Sequence, residues 1–259
     1  MPRVIIIGFG KMGRIHAKHL AELGVAWDYF DPFVDGGVRR IENQTYTHAI
    51  ISTPIASHFQ SYRELEGFPG PILIEKPVVV CEEHFGILDD PRVVPGMVER
   101  FNPAVAALKS LMGRPPAMTM TFHRTSLTGD VADIGIHDLD LFTHLAQNAE
   151  PCGLEWDGET FVIHARNVEA RFNWRKSTVR QTLVECSTLS GHFAADLYAQ
   201  KIDGIELPHR WPIKAELQAF LAGNSVDAKR SHRLLIDCLR LRCEAQEHNL
   251  HAVAHGDLD

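Results

Sequence analysis

Residues 4–7 form a short, wholly apolar run, Val-Ile-Ile-Ile, which predicts a strand buried on both faces. Comparable runs recur at residues 25–30, 48–52, 71–75 and 93–98. Most are closed by a breaker: Asp31-Pro32, Thr53-Pro54 and Lys76-Pro77. Between them, residues 15–23 carry apolar positions at helical spacing and stop at Gly24, and residues 57–65 predict a second, shorter helix. Strands that alternate with helices in this way predict a parallel α/β sheet over residues 1–100.

The texture changes near residue 100. Residues 102–112 and 133–145 predict helices, and residues 118–123 alternate as a half-exposed strand does. Longer alternating segments follow at 153–166, 168–174, 178–189 and 191–202, then helical patterns at 212–221 and 231–246. Alternation of this kind predicts an antiparallel sheet with one solvated face. The expected organisation is therefore α/β, with a second, α+β domain over residues 101–259 built on an open, mostly antiparallel sheet.

The first strand runs directly into Gly8-Phe9-Gly10-Lys11-Met12-Gly13. A GxGxxG motif alone is weak evidence, but between a buried strand and a helix it is the phosphate-binding turn of a Rossmann domain. The first glycine allows the turn, the second admits the pyrophosphate, and the third lets helix and strand pack. Asp31, at the end of the second strand, is placed to accept from the adenosine ribose hydroxyls and to repel a 2′-phosphate. This favours NAD, with NADP as the alternative should Arg39 and Arg40 fold back towards the ribose.

Composition narrows the class of partner. The chain has 259 residues and a formal net charge of −7, with Lys and Arg scattered, which argues against nucleic acid. No apolar run approaches the ~18 residues that a membrane span needs, and residues 1–7 lack the pattern of a signal peptide. A cytoplasmic protein is expected. Five cysteines without a CxxC fit reduced thiols, and among the fifteen histidines no pair has a zincin-type spacing with a glutamate between. Lys229-Arg230 with His232-Arg233 reads as a solvated helix entrance.

Taken together, Gly8–Gly13 with His16, Thr53-Pro54 with His58, Glu75-Lys76-Pro77, and Asp133-Ile134-Gly135-Ile136-His137 resemble the Gfo/Idh/MocA oxidoreductases over most of the chain. The stretches at 99–105 and 136–141 look particularly like the branch that includes UDP-N-acetylglucosamine 3-dehydrogenases. The resemblance implies a homodimer or homotetramer formed through the C-terminal sheet, and a sugar or sugar-nucleotide substrate. It places Thr53, Pro54, His58 and Glu75 near the cofactor, Lys76 beside nicotinamide and substrate, and Arg100 and Asn102 on the substrate side. Most relatives are longer: between Asp31 and His48 there is little room for a complete helix and strand.

Asp133 and His137 are four residues apart, on one face of a helix. A carboxylate there orients an imidazole whose pKa suits general acid/base work. Lys76, Asp133 and His137 are thus the candidate catalytic residues. Simpler readings stand beside them. Asp133 is also suited to capping its helix, Asn102-Pro103 to starting one, and His58 to a helix surface. Asp138 and Asp140 are two apart and point to different faces, which argues against a metal pair. Phe161, Phe172, Trp174 and Phe193 read as sheet core or subunit interface. Two alternatives to a dehydrogenase remain: an NADPH-dependent keto-sugar or carbonyl reductase, and a dinucleotide-binding regulatory protein without turnover.

Overall fold

The computed structural model describes residues 1–113, 117–146 and 149–255, the last eight by their backbone alone. It divides into two compact units, Met1–Phe101 with Arg210–His232, and Asn102–His209 with Arg233–Asp259.

In the first unit, β1 (Arg3–Ile7), β2 (Ala26–Phe30), β3 (His48–Ile51), β4 (Ile72–Glu75) and β5 (Val93–Gly96) form a parallel sheet in the order β2-β1-β3-β4-β5. The uniformly apolar strands are explained by burial on both faces. Ile5, Ile7, Ile51, Ile72 and Ile74 pack on one side, and Val4, Ile6, Ile50 and Leu73 on the other. Each such side chain contributes about 1.5–3 kcal/mol. The helices are α1 (Lys11–Glu22) and α2 (His58–Glu64).

β2 is the edge of this sheet. Between it and β3 the described residues hold only a 3-10 turn, Asn43–Thr45, as the short spacing predicts. The intervening loop folds back on the edge: Val38 N–H donates to the Tyr29 carbonyl at 2.9 Å. A Cβ on Gly37 would stand 2.6 Å from that same oxygen, so only glycine permits the approach.

In the second unit, eight strands lie in the order β13-β12-β11-β10-β6-β9-β8-β7. Their ranges are β6 (Met118–Ser126), β7 (Pro151–Trp156), β8 (Thr160–Ala165), β9 (Val168–Lys176), β10 (Thr182–Thr188), β11 (Gly191–Asp196), β12 (Lys201–Ile202) and β13 (Ile205–Glu206). Among the described residues every strand pairing in this sheet is antiparallel except β6 with β9. α3 (Pro103–Met112) and α4 (Val131–Leu145) pack on the sheet. Phe122, Phe142, Phe161, Phe172 and Trp174 form an aromatic core, as expected of the last three; Phe193 is half-buried.

Three segments differ from the sequence pattern. Residues 153–166 alternate without a break, yet they form two strands, because Asp157 Oδ1 accepts from the N–H groups of Glu159 and Thr160 and closes a turn. The pattern at 191–202 likewise breaks into β11 and β12. α5 (Pro212–Leu221) belongs to the first unit, although a single boundary near residue 100 would assign it to the second. Its Leu217 and Phe220 are buried with Val4, Ile6 and Leu20. α6 (Lys229–His255) then begins in the first unit and continues in the second.

Candidate functional site

The loops after β1, β3 and β4 emerge at one end of the parallel sheet. Gly8 N–H donates to the Phe30 carbonyl at 3.0 Å, and Ser52 N–H to Ile7 at 2.8 Å. Ser52 Oγ donates to the Gly8 carbonyl at 2.7 Å. The glycines of the opening turn have distinct duties. A Cβ on Gly8, where φ is +88°, would lie 2.8 Å from Thr53 N; one on Gly13 would lie 2.2 Å from the Gly8 carbonyl oxygen. Gly10 differs: a Cβ there would meet nothing within 4 Å. Gly10 also caps α1, whose first turn has no side-chain cap and no acidic residue. The unencumbered helix start and the open space at Gly10 fit a pyrophosphate.

Asp31 sits at this end of the sheet. Its Oδ2 accepts from Phe9 N–H at 2.7 Å and its Oδ1 from Phe33 N–H at 2.8 Å. The carboxylate therefore shapes the glycine turn. The Phe9 ring stacks on Tyr29 at 3.8 Å, and Lys11 and Met12 open α1.

Lys76 follows β4 and is half-buried. The turn it begins is held at three successive residues. Lys76 N–H donates to Glu75 Oε2 at 3.3 Å, and Glu75 Oε1 lies 2.7 Å from His16 Nε2. Pro77 O lies 2.9 Å from His58 Nδ1, and Val78 N–H donates to His232 Nε2 at 2.9 Å. All three histidines are buried. Burial alone would push the Glu75 carboxyl up; the bond from His16 and the nearby Lys76 ammonium outweigh it and hold it below the usual carboxylate range. His16 Nδ1 is buried without a hydrogen-bond partner among the described residues, so Nε2 carries the N–H that Glu75 accepts.

His58 is not a surface histidine. Its other nitrogen lies 2.9 Å from the Thr53 carbonyl oxygen, so the ring bridges the loops after β3 and β4. Burial pushes its pKa down, against both carbonyl contacts. Thr53 Oγ1 meets Ser61 Oγ at 3.3 Å, and Pro54 is exposed at the start of the 3-10 turn Ile55–Ser57. Sequence patterning misread His232, the residue that anchors Val78: it is fully buried, and its Nδ1 donates to the Ala228 carbonyl at 2.8 Å. The only signal for it was a histidine near the start of an amphipathic helix. Arg100, in the 3-10 turn Val98–Phe101, donates to the Asp227 carbonyl at 2.9 Å.

In the second unit, Asp133 and His137 are both half-buried on α4. Asp130, not Asp133, caps that helix, accepting from Ala132 N–H at 3.0 Å. Asp133 is thus not used as the cap. Gly135 packs closely on Trp174: a Cβ there would lie 3.1 Å from the ring, which would have to give by a few tenths of an ångström. Asp138 is buried, with its oxygens 2.8 Å from Arg124 Nε and 2.9 Å from Trp174 Nε1, a pairing that ties α4 to β6 and β9. Asn102 is buried as the cap of α3. It accepts from Ala104 N–H at 3.0 Å and donates to the Leu197 carbonyl at 2.9 Å. Among the described residues no cluster of three or more His, Cys, Asp or Glu side chains is arranged to hold a metal ion.

A five-stranded parallel sheet with a glycine turn and a Lys-Pro turn at its strand ends, together with a second unit built on a broad, mostly antiparallel sheet, is a fold shared with several solved dehydrogenases. Among solved structures, the chain is similar to the UDP-N-acetylglucosamine 3-dehydrogenase GnnA from Acidithiobacillus ferrooxidans. Identity is 20%, with 93% of this chain and 97% of that one covered at a TM-score of 0.76. It is also similar to the WlbA (WbpB) dehydrogenase from Thermus thermophilus in complex with NAD and α-ketoglutarate, at 16% identity, 91% and 94% coverage and a TM-score of 0.71. A third is a myo-inositol dehydrogenase from Corynebacterium glutamicum, at 17% identity, 95% and 97% coverage and a TM-score of 0.67. No family model and no curated protein sequence matches the chain.

Proposed function

We propose that the chain is an NAD-dependent oxidoreductase that moves a hydride between a ring hydroxyl of a sugar or sugar nucleotide and nicotinamide. The observation that carries this reading is the assembly at one sheet end of the open glycine turn, Asp31 and the braced Lys76 turn. The first unit is then the dinucleotide-binding part, and the second selects the substrate. The similar Thermus dehydrogenase was also solved with NAD and UDP-GlcNAcA, which supports a nucleotide sugar, the 3-hydroxyl of a UDP-N-acetylhexosamine being the specific candidate.

NAD, when bound, supplies the hydride acceptor; the protein supplies orientation and proton handling. The N–H groups at the start of α1 hold the pyrophosphate, and Asp31 disfavours a 2′-phosphate. The Lys76 ammonium hydrogen-bonds the reacting oxygen and stabilises its developing negative charge. His137 takes the hydroxyl proton, with Asp133 orienting the imidazole. Arg100 and Asn102 act from the border of the substrate side, Asn102 chiefly by fixing α3.

No helix among the described residues is long and apolar enough to cross a membrane. We further assign the outward side of the large sheet, which carries Thr121, His123, Glu169, Arg171 and Glu185, to contact with a second copy of the chain. None of these five side chains is buried, and they include the ion pair Arg171–Glu169 at 2.9 Å.

The test is stopped-flow reduction of NAD by a panel of UDP-sugars and inositols. Reduction by one of them is expected. Binding of NAD without reduction by any candidate would favour a regulatory protein, a reading prompted by the abbreviated loop after β2. Faster oxidation of NADPH by keto-sugars would favour the reductase.

A further inference from the structure

The second unit contains a cavity of about 510 Å³ that the proposed reaction does not use. That volume lies within the range of small-molecule sites. Its lining includes Trp156, Trp174, Glu159, Arg175, Lys176 and Arg242. Trp174 is a fixed wall, since its Nε1 donates to the buried Asp138.

The charges of this lining are unbalanced. Arg175 lies 3.7 Å from Glu159, which accounts for the one acid. Lys176 and Arg242 have no carboxylate partner among the described residues, although the chain carries 33 acidic against 26 basic side chains. Arg242 instead lies over the Trp156 ring, 5.7 Å from its centroid. The cavity therefore combines two indole surfaces with two unmatched cations, inside a protein of net charge −7. A concave surface of this kind concentrates anions.

The cavity is also separate from the proton-transfer residues. At about 100° per residue, Val131, Gly135 and Asp138 share one side of α4, the side that meets Trp174 and this cavity. Asp133 and His137 project from roughly the opposite side. A molecule bound here touches the packing side of α4, not the imidazole.

We infer that this cavity binds a small phosphorylated metabolite, held through its phosphate by Lys176 and Arg242, as an effector rather than as the substrate. Binding of the phosphate does not depend on the dehydrogenase reading; its standing as effector rather than substrate rests on that reading. It is tested by calorimetric titration of inorganic phosphate and of glucose 1-phosphate into the full chain, with ionic strength held by chloride. The variants are Lys176→Ala with Arg242→Ala, and Gly10→Asp. The latter places a carboxylate in the open space of the glycine turn and so removes phosphate binding there. Saturable binding should persist in Gly10→Asp and weaken at least about tenfold in the double variant, as expected for lost charge-assisted hydrogen bonds. Stronger binding of glucose 1-phosphate than of phosphate would identify a sugar phosphate; equal binding would identify free phosphate. Absence of saturable binding in the Gly10→Asp protein, or equal affinity in the double variant, would overturn the inference.

Discussion

Nε2 of His16 and Oε1 of Glu75 lie 2.7 Å apart in the interior of the first unit, linking α1 to the last residue of β4, just before Lys76. Glu75→Gln keeps one acceptor oxygen, enough for His16 or for Lys76 N–H but not both, and removes the charge. Glu75→Ala leaves both donors unmatched and should cost about 1–3 kcal/mol of stability per donor stranded in the interior. Because Glu75 is held below its ordinary value, its contribution is complete above about pH 4.3 and is lost as pH falls through the lowered value. Urea denaturation across the acid range should therefore show a flatter pH dependence for Glu75→Gln than for the wild type.

The glycine turn separates packing from ligand contact. Gly13→Ala puts a Cβ 2.2 Å from the Gly8 oxygen, so the turn must shift and both thermal stability and NAD affinity should fall. Gly10→Ala meets no protein atom, so melting temperature should hold while NAD affinity drops about tenfold or more. Calorimetry with NAD checks both. If Gly10→Ala binds NAD as the wild type does, the pyrophosphate does not pass over this residue.

His232 holds the Lys76 turn through one nitrogen, and isosteric amides read which one matters. Gln places its amide at the Nε2 position and can still accept from Val78 N–H. Asn reaches only the Nδ1 position. We expect His232→Gln to retain most of the turnover and His232→Asn to lose it, with KM for the sugar changing less than kcat. Equal losses in both variants would point to packing alone.

On α4, His137→Asn should lower turnover by about 100-fold or more at saturating substrate. Asp133→Asn should lower it less, because an amide still orients the ring without supporting its charge. Single-turnover reduction of NAD measures this directly, and unimpaired turnover in His137→Asn removes it from the base role.

Much of the first unit was legible in sequence. Its strands are uniformly apolar because both faces are covered, and the glycine turn and the Lys-Pro turn fall where those strands end. Long-range partners were less visible. Val78 and His232 are 154 residues apart, and no local pattern announces that a helix-start histidine will be buried. The same holds for α5, whose amphipathic spacing was clear but whose partners, Val4 and Ile6, lie at the other end of the chain. Alternation ran through the turn at Asp157, since residues on either side of a tight turn can keep the inside-outside rhythm. At Asp133 the capping reading fails because Asp130, three residues earlier, is the cap, and two acidic residues near one helix start do not show in sequence which of them caps it.

β6 has a consequence for how the second unit assembles. The β7–β8–β9 meander and the β10–β11 hairpin each close over short loops and can form early from neighbouring residues. β6 precedes both in the chain yet lies between them, with β9 parallel on one flank and β10 antiparallel on the other. It works as a keystone: until it is seated the two blocks remain separate, so substitutions at Met120 or Phe122 should slow the joining of preformed halves more than the formation of either.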